Sequence, residues 1–201
     1  MRPVLLLAAL LACATAPPPR APERAPAPRR PPSVLDNLLR DDLAEDRAFP
    51  WSTRPLTWRD FQAAPPTAGS EGAMTSYTLY SAWKCRGEEF EYRVIAGFRP
   101  RLSWVKAVVL NDTLQRRTVL GHEQTHFDLA EVHARRMRQT FGSLARPCAK
   151  SDAELRALSQ RLTQEEKAEQ RRYDAETQHG LRADEQASWS VQTRRRLAAS
   201  N

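Results

Sequence analysis

The sequence predicts an α+β domain in which a small antiparallel sheet is followed by three helices. Strand-like alternation, rich in aromatic and β-branched residues, covers 75–83, 89–98 and 103–110. The short connections between these runs favour antiparallel pairing. From about residue 112, apolar residues recur instead at three- and four-residue spacing, which is the period of an amphipathic helix. Strands first and helices afterwards indicate the α+β class.

A short amphipathic segment is predicted before the strands, and turns are predicted between them. A short amphipathic segment begins near Val34 and ends before Pro50. Residues 86–88 and 99–101 contain Gly87 and Pro100, and both are predicted turns between strands.

Three helices are predicted after the strands. The first continues to Gly142, with Pro147 just beyond it, and these residues end the helix. Ser151-x-x-Glu154 is a capping box that begins the second helix, which we expect to run to about Tyr173. The third helix covers roughly residues 183–197.

Residues 1–12 are typical of a signal peptide of the lipoprotein type. Arg2 precedes nine apolar residues, a length that fits a signal-peptide core and is too short to span a bilayer. Leu-Leu-Ala-Cys13 resembles the bacterial lipoprotein signal, in which the cysteine is lipidated. Cleavage after Ala16 is the alternative, although Pro17 would then follow the cleaved bond. We therefore expect an exported protein, anchored in the bacterial cell envelope through a lipid on Cys13 or otherwise secreted.

Residues 13–32 are a predicted tether, and residues 33–201 are the predicted folded domain. The stretch 17–32 is dominated by proline and has no apolar side chain larger than alanine, so it favours extended polyproline II. Export places Cys85 and Cys148 in an oxidising compartment, where a disulfide between them is expected. Two free thiols are the alternative.

The net charge of +7 does not indicate nucleic-acid binding. Five of the basic residues precede residue 33, and the rest of the chain is close to neutral, without a basic stripe interleaved with aromatic residues. The five are Arg2, Arg20, Arg24, Arg29 and Arg30. Neither G-x-G-x-x-G nor G-x-x-x-x-G-K occurs, so no nucleotide site is predicted.

The first long helix contains His122-Glu123-Gln-Thr-His126. Histidines four residues apart project from one helix face, which suits two nitrogens on one tetrahedral Zn²⁺. Glu123 lies one step round the helix, where it suits a general base acting on a water activated by zinc. An amphipathic helix with two solvated or capped histidines is the alternative. Both histidines fall beside the apolar stripe, however, where unpaired imidazoles are costly to bury.

A third protein ligand must come from elsewhere in the chain. His133 lies about 10.5 Å further along the helix than His126 and cannot share the ion unless the helix bends. Glu131 points away from His126. The polar cluster 173–180 remains, and we predict His179 as the third ligand, with Glu176 and Asp174 as alternatives. The alternative interpretation of the cluster 173–180, without a metal, is a polar C-terminal end of the helix.

Several segments together resemble a known bacterial family. These are 55–61, 103–105, 122–135, 173–180 and 186–189, in which His-Glu-Gln-Thr-His and Tyr-Asp-Ala-Glu-Thr-Gln-His-Gly are the most specific runs. The chain resembles a bacterial family of unknown function that is described as predicted secreted Zn-dependent proteases, within the zincin-like group. The resemblance implies a zincin-like metallopeptidase fold, with His122 and His126 as ligands and Glu123 as catalytic acid/base.

The expected function is therefore that of a zinc metallopeptidase that acts on a peptide or protein substrate. An edge strand among residues 89–110 is expected to align the substrate, and Tyr173 is a candidate oxyanion donor. A non-catalytic envelope lipoprotein or binding module, whose zinc closes the fold, is one alternative. An amidase acting on cell-wall peptides is the other.

Overall fold

The computed structural model describes residues 31–199, so the predicted leader and almost all of the predicted tether lie outside the described residues. One compact unit begins at Pro32. Its helices and strands, in chain order, are α1 (Val34–Glu45), β1 (Phe49–Pro50), β2 (Ala73–Met74), β3 (Tyr77–Arg86), β4 (Glu89–Phe98), β5 (Trp104–Val105), α2 (Ala107–Asn111), α3 (Thr113–Gly142), α4 (Asp152–Thr177) and α5 (Ala183–Ala199). The predicted α+β class is confirmed.

The main sheet has three antiparallel strands in the order β1-β4-β3. β3 and β4 form the predicted hairpin, in register from Tyr77 opposite Phe98 to Arg86 opposite Glu89. Gly87 stands in the turn with φ +60°, a conformation that is strained for most other residues. The two-residue strand β1 pairs with the end of β4, so β4 lies in the centre of the sheet.

The prediction of a strand over 103–110 is wrong. Only Trp104 and Val105 of this range form a strand, and they pair with Met74 and Ala73 in a separate two-stranded sheet. The chain then turns into the short helix α2, in which Val109 is buried while Val108 and Leu110 on either side are exposed. This burial pattern imitates a half-buried strand in the sequence, but packing against α3 overrides the β-propensity of the valines.

Helix α3 is the centre of the domain. One of its faces packs on the sheet, where Phe127, Ala130, Ala134, Met137 and Phe141 join the apolar side chains of β4 in the main core. Its other faces contact α4 and α5. The predicted capping box is present at the start of α4, where the Ser151 hydroxyl accepts from the backbone N–H of Glu154. α3 therefore presents one set of side chains to the sheet and another to the two later helices.

Two further features of the fold are a disulfide and the hydropathy of the helices. Cys85, in β3, forms a disulfide with Cys148, which follows α3. Among the described residues, no helix is both long enough and apolar enough to cross a membrane.

Candidate metal centre

Three side-chain donor atoms from two helices converge at one point. His122 Nε2 and His126 Nε2, on α3, lie 3.1 Å apart. Asp174 Oδ1, on α4, lies 3.2 Å from the first nitrogen and 2.9 Å from the second. The two histidines are neighbours because they are four residues apart on one helix, whereas Asp174 reaches them because α4 packs on α3.

The dimensions of this triangle fit a tetrahedral metal ion. Zinc bonds of about 2.0–2.1 Å to nitrogen and oxygen, at tetrahedral angles, separate neighbouring donor atoms by about 3.3 Å. The three observed separations lie close to that value. Lone-pair atoms packed this closely repel one another unless a cation or a shared proton lies between them. The donor set, two imidazoles and one carboxylate, is one that Zn²⁺ accepts.

Gln170, on α4, determines which nitrogen of His126 faces the triangle. Its amide Nε2 donates to the backbone oxygen of His126 at 3.0 Å and to Glu166 Oε1 at 2.9 Å. Both partners are acceptors, so the amide oxygen must face the other way, towards His126 Nδ1 at 2.6 Å. His126 therefore carries its proton on Nδ1 and presents the lone pair of Nε2 to Asp174 and His122.

His122 is held in a corresponding way by α5. Its Nδ1 lies 3.0 Å from Gln186 Oε1, which also accepts from the Tyr173 hydroxyl at 2.7 Å. The Tyr173 ring stacks on the His122 ring, with centroids 4.7 Å apart. His122 is almost fully buried, so its orientation is restricted by both contacts. Partners of this kind fix the direction of a histidine ring that could bind a metal ion.

Glu123 has a buried carboxylate oxygen without a hydrogen-bond partner. The side chain is 3% exposed, and no donor among the described residues reaches Oε2. The backbone oxygen of Glu123 accepts from the Thr75 hydroxyl at 3.2 Å, which ties this turn of α3 to the segment after β2. An unpaired buried carboxylate is costly unless a proton, a cation or a ligand satisfies it. Glu123 therefore places an unpaired carboxylate oxygen next to the two histidines that line the same cleft.

The pKa values within the triangle reflect the close contacts. Burial acts to raise the pKa of the Asp174 carboxyl, but hydrogen bonds with His122 and His126 outweigh it and hold the pKa well below its usual value. Burial acts to lower the pKa of His126, yet its contacts with Asp174, Glu123 and Gln170 raise it overall. The site thus favours an ionised Asp174 carboxylate, and it favours positive charge close to that carboxylate.

His179 lies at the edge of this group. Its Nδ1 is 3.5 Å from Asp174 Oδ1, and its side chain is half exposed. His122, Asp174 and His179 each offer a ligand atom within 4.8 Å of the other two. The predicted third ligand therefore lies near the site, but Asp174, which was the alternative, completes the triangle with both histidines of α3.

A left-handed turn places His179 there. Gln178, His179 and Gly180 have φ values of +50°, +54° and +85° after the end of α4. Gly180 packs against His122, and a Cβ at this position would lie 3.2 Å from two atoms of that side chain. Two consecutive non-glycine residues in this region cost conformational energy, so the turn must be held by its surroundings.

The other sequence candidates lie elsewhere or are engaged. Glu176 accepts from Trp189 Nε1 at 2.8 Å and does not join the donor group. His133 contacts Glu169 at 2.6 Å, and Glu131 accepts from Arg135 and Arg138, as their positions on α3 suggested. The Tyr173 hydroxyl, expected as an oxyanion donor, is buried and engaged with Gln186, so it does not face a substrate.

A cleft of about 540 Å³ opens beside the triangle. Its walls come from residues 70–75, from α2, from α3 and from the turn that follows α4. β2 lines it as an edge strand, because β5 covers only one of its sides and no other described strand pairs with it. Of the strands within 89–110, β4 is central in its sheet, and β5 is an edge of the two-stranded sheet but does not line the cleft; the strand that lines the cleft is β2, at residues 73–74.

A comparison with models of known protein families gives a match. Residues 58–180 match the family described as "Bacterial protein of unknown function (DUF922)". The matched range contains the donor triangle, Glu123, Gln170 and the turn up to Gly180. The expected relationship to a bacterial family of unknown function is confirmed, although the family description names no activity. Comparisons with curated proteins and with solved structures give no match.

Proposed function

We propose that this chain, which belongs to the DUF922 family of bacterial proteins, is a zinc-dependent hydrolase of the zincin-like type that cleaves peptide bonds. The observation that carries the proposal is the buried, unpartnered carboxylate oxygen of Glu123 beside three converging donor atoms. A site that serves only to stabilise a fold needs no such base. A zinc-dependent hydrolase uses both a metal site and a base.

In this proposal His122, His126 and Asp174 hold the ion, and His179 stands beside them. When bound, zinc supplies Lewis-acid polarisation of a carbonyl and lowers the pKa of a water to about 7. Gln170 and Gln186 keep the imidazole lone pairs directed at the ion. Because both rings are held before the metal arrives, binding requires little rearrangement of the helix.

In this proposal Glu123 transfers a proton from the attacking water to the leaving amine. Its free Oε2 accepts a proton from the water that attacks the carbonyl carbon, and it then donates that proton to the nitrogen of the leaving amine. The carbon–nitrogen bond breaks as the nitrogen is protonated, and the products are a carboxylic acid and an amine, which at neutral pH become a carboxylate and an ammonium group. The buried position of Glu123 restricts access of other waters to this carboxylate.

β2 provides a means of aligning the substrate. Its two residues line the cleft and, among the described strands, pair with β5 on one side only, and an extended peptide can add to an unpaired strand edge through backbone hydrogen bonds. Backbone pairing is independent of side chains, so this contact favours polypeptides in general over small amides.

The deciding experiment compares the wild type with Glu123→Gln. We expect about one zinc per chain in both proteins, measured by plasma mass spectrometry. Hydrolysis of casein and of quenched fluorescent peptides should fall at least about 100-fold in the variant. Glu88→Gln, in the exposed hairpin turn, is the matched control and should change neither quantity. A wild type that takes up no metal, or a Glu123→Gln variant that still hydrolyses, would refute the proposal.

A second candidate function rests on the position of His179. With His179 as a fourth ligand the ion would be enclosed, and zinc would act as a structural element of a binding protein. Cobalt substitution separates the two functions. An open site changes its visible spectrum when acetohydroxamate is added, whereas a closed four-ligand site does not.

We further propose that the protein is exported and attached to the envelope by a lipid on Cys13. The residues concerned lie outside the described part of the chain, and the support is the sequence pattern alone. Mass spectrometry of the N-terminal peptide from the membrane fraction tests this. Cys13→Ala should release the protein into the soluble fraction.

A further inference from the structure

Large apolar side chains are exposed around the cleft. Met74 is 39% exposed, Val108 is 61% exposed and Leu181 is 84% exposed. The three residues belong to β2, to α2 and to the turn after α4, and all three line the same cleft. They are far apart in the sequence, so only the fold brings them together.

This arrangement differs from ordinary scatter of surface leucines and valines. Single exposed apolar residues are normal in soluble proteins and need no explanation. Here three such residues from separate elements surround one concavity, and that concavity also contains His122 and Glu123. Leu110 and Leu114, which are also exposed, lie on the same short helix and at the start of the next.

Apart from Glu123 and Asp174 in the site itself, the charged residues of the described chain that line the cleft are Glu71 and Lys106, which carry opposite charges. These two residues together do not select for a charged ligand. Lys106 Nζ donates to the backbone oxygen of Gly69 at 2.6 Å, which holds the segment before β2 in place. One of the three N–H donors of its ammonium group is therefore already engaged. The outer walls of the cleft favour contact with apolar groups.

We infer that the cleft takes an extended polypeptide segment that carries large apolar side chains on either side of the cleaved bond. The inference rests on the proposed function and names its substrate class. The occupant must reach Glu123, which is buried, and must also cover Met74, Val108 and Leu181. A polypeptide strand along β2 meets both requirements, because alternate side chains extend from a backbone that passes the site. A membrane surface would cover the rim without entering the concavity.

The test measures binding separately from turnover. The full chain carrying Glu123→Gln, loaded with zinc, is titrated against two labelled peptides of equal length by fluorescence anisotropy. One peptide has Leu and Phe at its centre, and the other has Ser and Asn there. We expect the apolar peptide to bind about tenfold more tightly, which is the low end of what one apolar group contributes in a pocket.

Variants at the rim assign this preference to the cleft. Val108→Ser and Leu181→Ser should remove most of the difference between the two peptides. Both side chains are exposed, so the fold should tolerate the changes. Leu102→Ser is the matched control, because Leu102 is also exposed but does not line the cleft, and it should leave the preference intact. Thermal melts confirm that each variant is folded.

The outcomes distinguish this inference from the proposed function. Equal binding of both peptides, or an apolar preference that survives both rim variants, would overturn the inference even if casein is hydrolysed. Preferential binding that depends on Val108 and Leu181, without any hydrolysis by the wild type, would support the inference and refute the hydrolase. Rim-dependent binding to phosphatidylethanolamine–phosphatidylglycerol vesicles, without peptide preference, would replace the polypeptide with a lipid surface.

Discussion

His126 Nδ1 lies 2.6 Å from the side-chain oxygen of Gln170, and the amide nitrogen of the same glutamine bonds back to the His126 carbonyl. One side chain on α4 therefore holds both the ring and the backbone of a residue on α3. Behind it, Glu166 accepts from Gln170 and from the Tyr77 hydroxyl, so the contact extends from the site to the sheet. A buried polar chain of this kind restricts the orientation of the ring at its end.

Gln170→Leu should weaken zinc affinity about 10- to 100-fold, because the ring of His126 loses the acceptor that fixes its tautomer and orientation. Competition with a chromophoric chelator measures this affinity. Gln164→Leu, at an exposed position of the same helix, is the control and should leave it unchanged. In the metal-free protein, nitrogen-15 shifts of His126 should show Nδ1 protonation in the wild type and a mixture of tautomers in the variant. An unchanged affinity and tautomer would contradict the positioning role.

Asp174→Ala should abolish stoichiometric zinc binding, because it removes one corner of the donor triangle. His179→Ala should retain about one zinc per chain, since His179 lies outside that triangle and is half exposed. Metal content after dialysis measures both. The reverse result, with zinc lost only in His179→Ala, would make His179 the third ligand. Loss in both variants would favour the enclosed site of the second candidate function.

Acid should weaken the contact between α5 and the other helices through Glu169. Burial acts to raise the pKa of this carboxyl, but hydrogen bonds with His133 and Arg196 outweigh it and lower the pKa to about 2. A carboxyl whose pKa is lower in the folded than in the unfolded chain stabilises the fold above the unfolded value, near 4.5. That stabilisation is lost as the pH falls from about 4.5 towards 2.

Glu169→Gln should therefore reduce the free energy of unfolding at pH 7 by about 2 kcal/mol. The difference from the wild type should shrink between pH 4.5 and pH 2. Urea titrations at a series of pH values measure this, with Glu88→Gln, in the exposed turn, as the control. A difference that stays constant down to pH 2 would show that the ionised form of Glu169 is not what stabilises the helices.

Removal of the disulfide should destabilise the domain without emptying the metal site. Cys85 and Cys148 are 63 residues apart in the sequence, and closing a loop of that size stabilises a fold by about 4 kcal/mol on a chain-entropy argument. Cys85→Ser with Cys148→Ser should lower the free energy of unfolding by roughly that amount. Zinc content should not change, because the disulfide joins the end of the hairpin to the segment after α3. Two free thiols in the non-reduced wild type would contradict the prediction.

Local sequence patterns were sufficient to predict most of the helices and strands. The capping box at Ser151 predicted the start of α4, and the helical period predicted α3 and α5. The alternation around Gly87 predicted the hairpin. The failure at 103–110 has a physical cause, because an exposed–buried–exposed run of Val108, Val109 and Leu110 has the same pattern in a half-buried strand and in one short turn of helix. Periodicity cannot separate them at that length.

The sequence contains a signal for Gln170. Glu166, Gln170, Tyr173 and Thr177 recur at three- and four-residue spacing along α4, and all four are buried. A polar stripe of this kind on a helix that packs against the His-Glu-x-x-His helix indicates second-sphere partners, since buried polar groups must be paired. Gln186, on α5, belongs to the segment 186–189 that carries the family resemblance, but no periodic pattern predicts its contact with His122, because that contact depends on how α5 crosses α3.

The sequence by itself determined that two histidines and one glutamate share a turn of a helix, because residues four apart on an α-helix are neighbours whatever surrounds them. It also identified the cluster 173–180 as the segment that supplies a third donor atom beside the two histidines. Only the tertiary structure decided that Asp174 rather than His179 or Glu176 meets both histidines, and that β2 rather than a strand of 89–110 forms the edge at the cleft. These choices depend on the rotation and position of one packed element against another. Those are set by contacts between residues far apart in the chain, for which a local pattern carries no information.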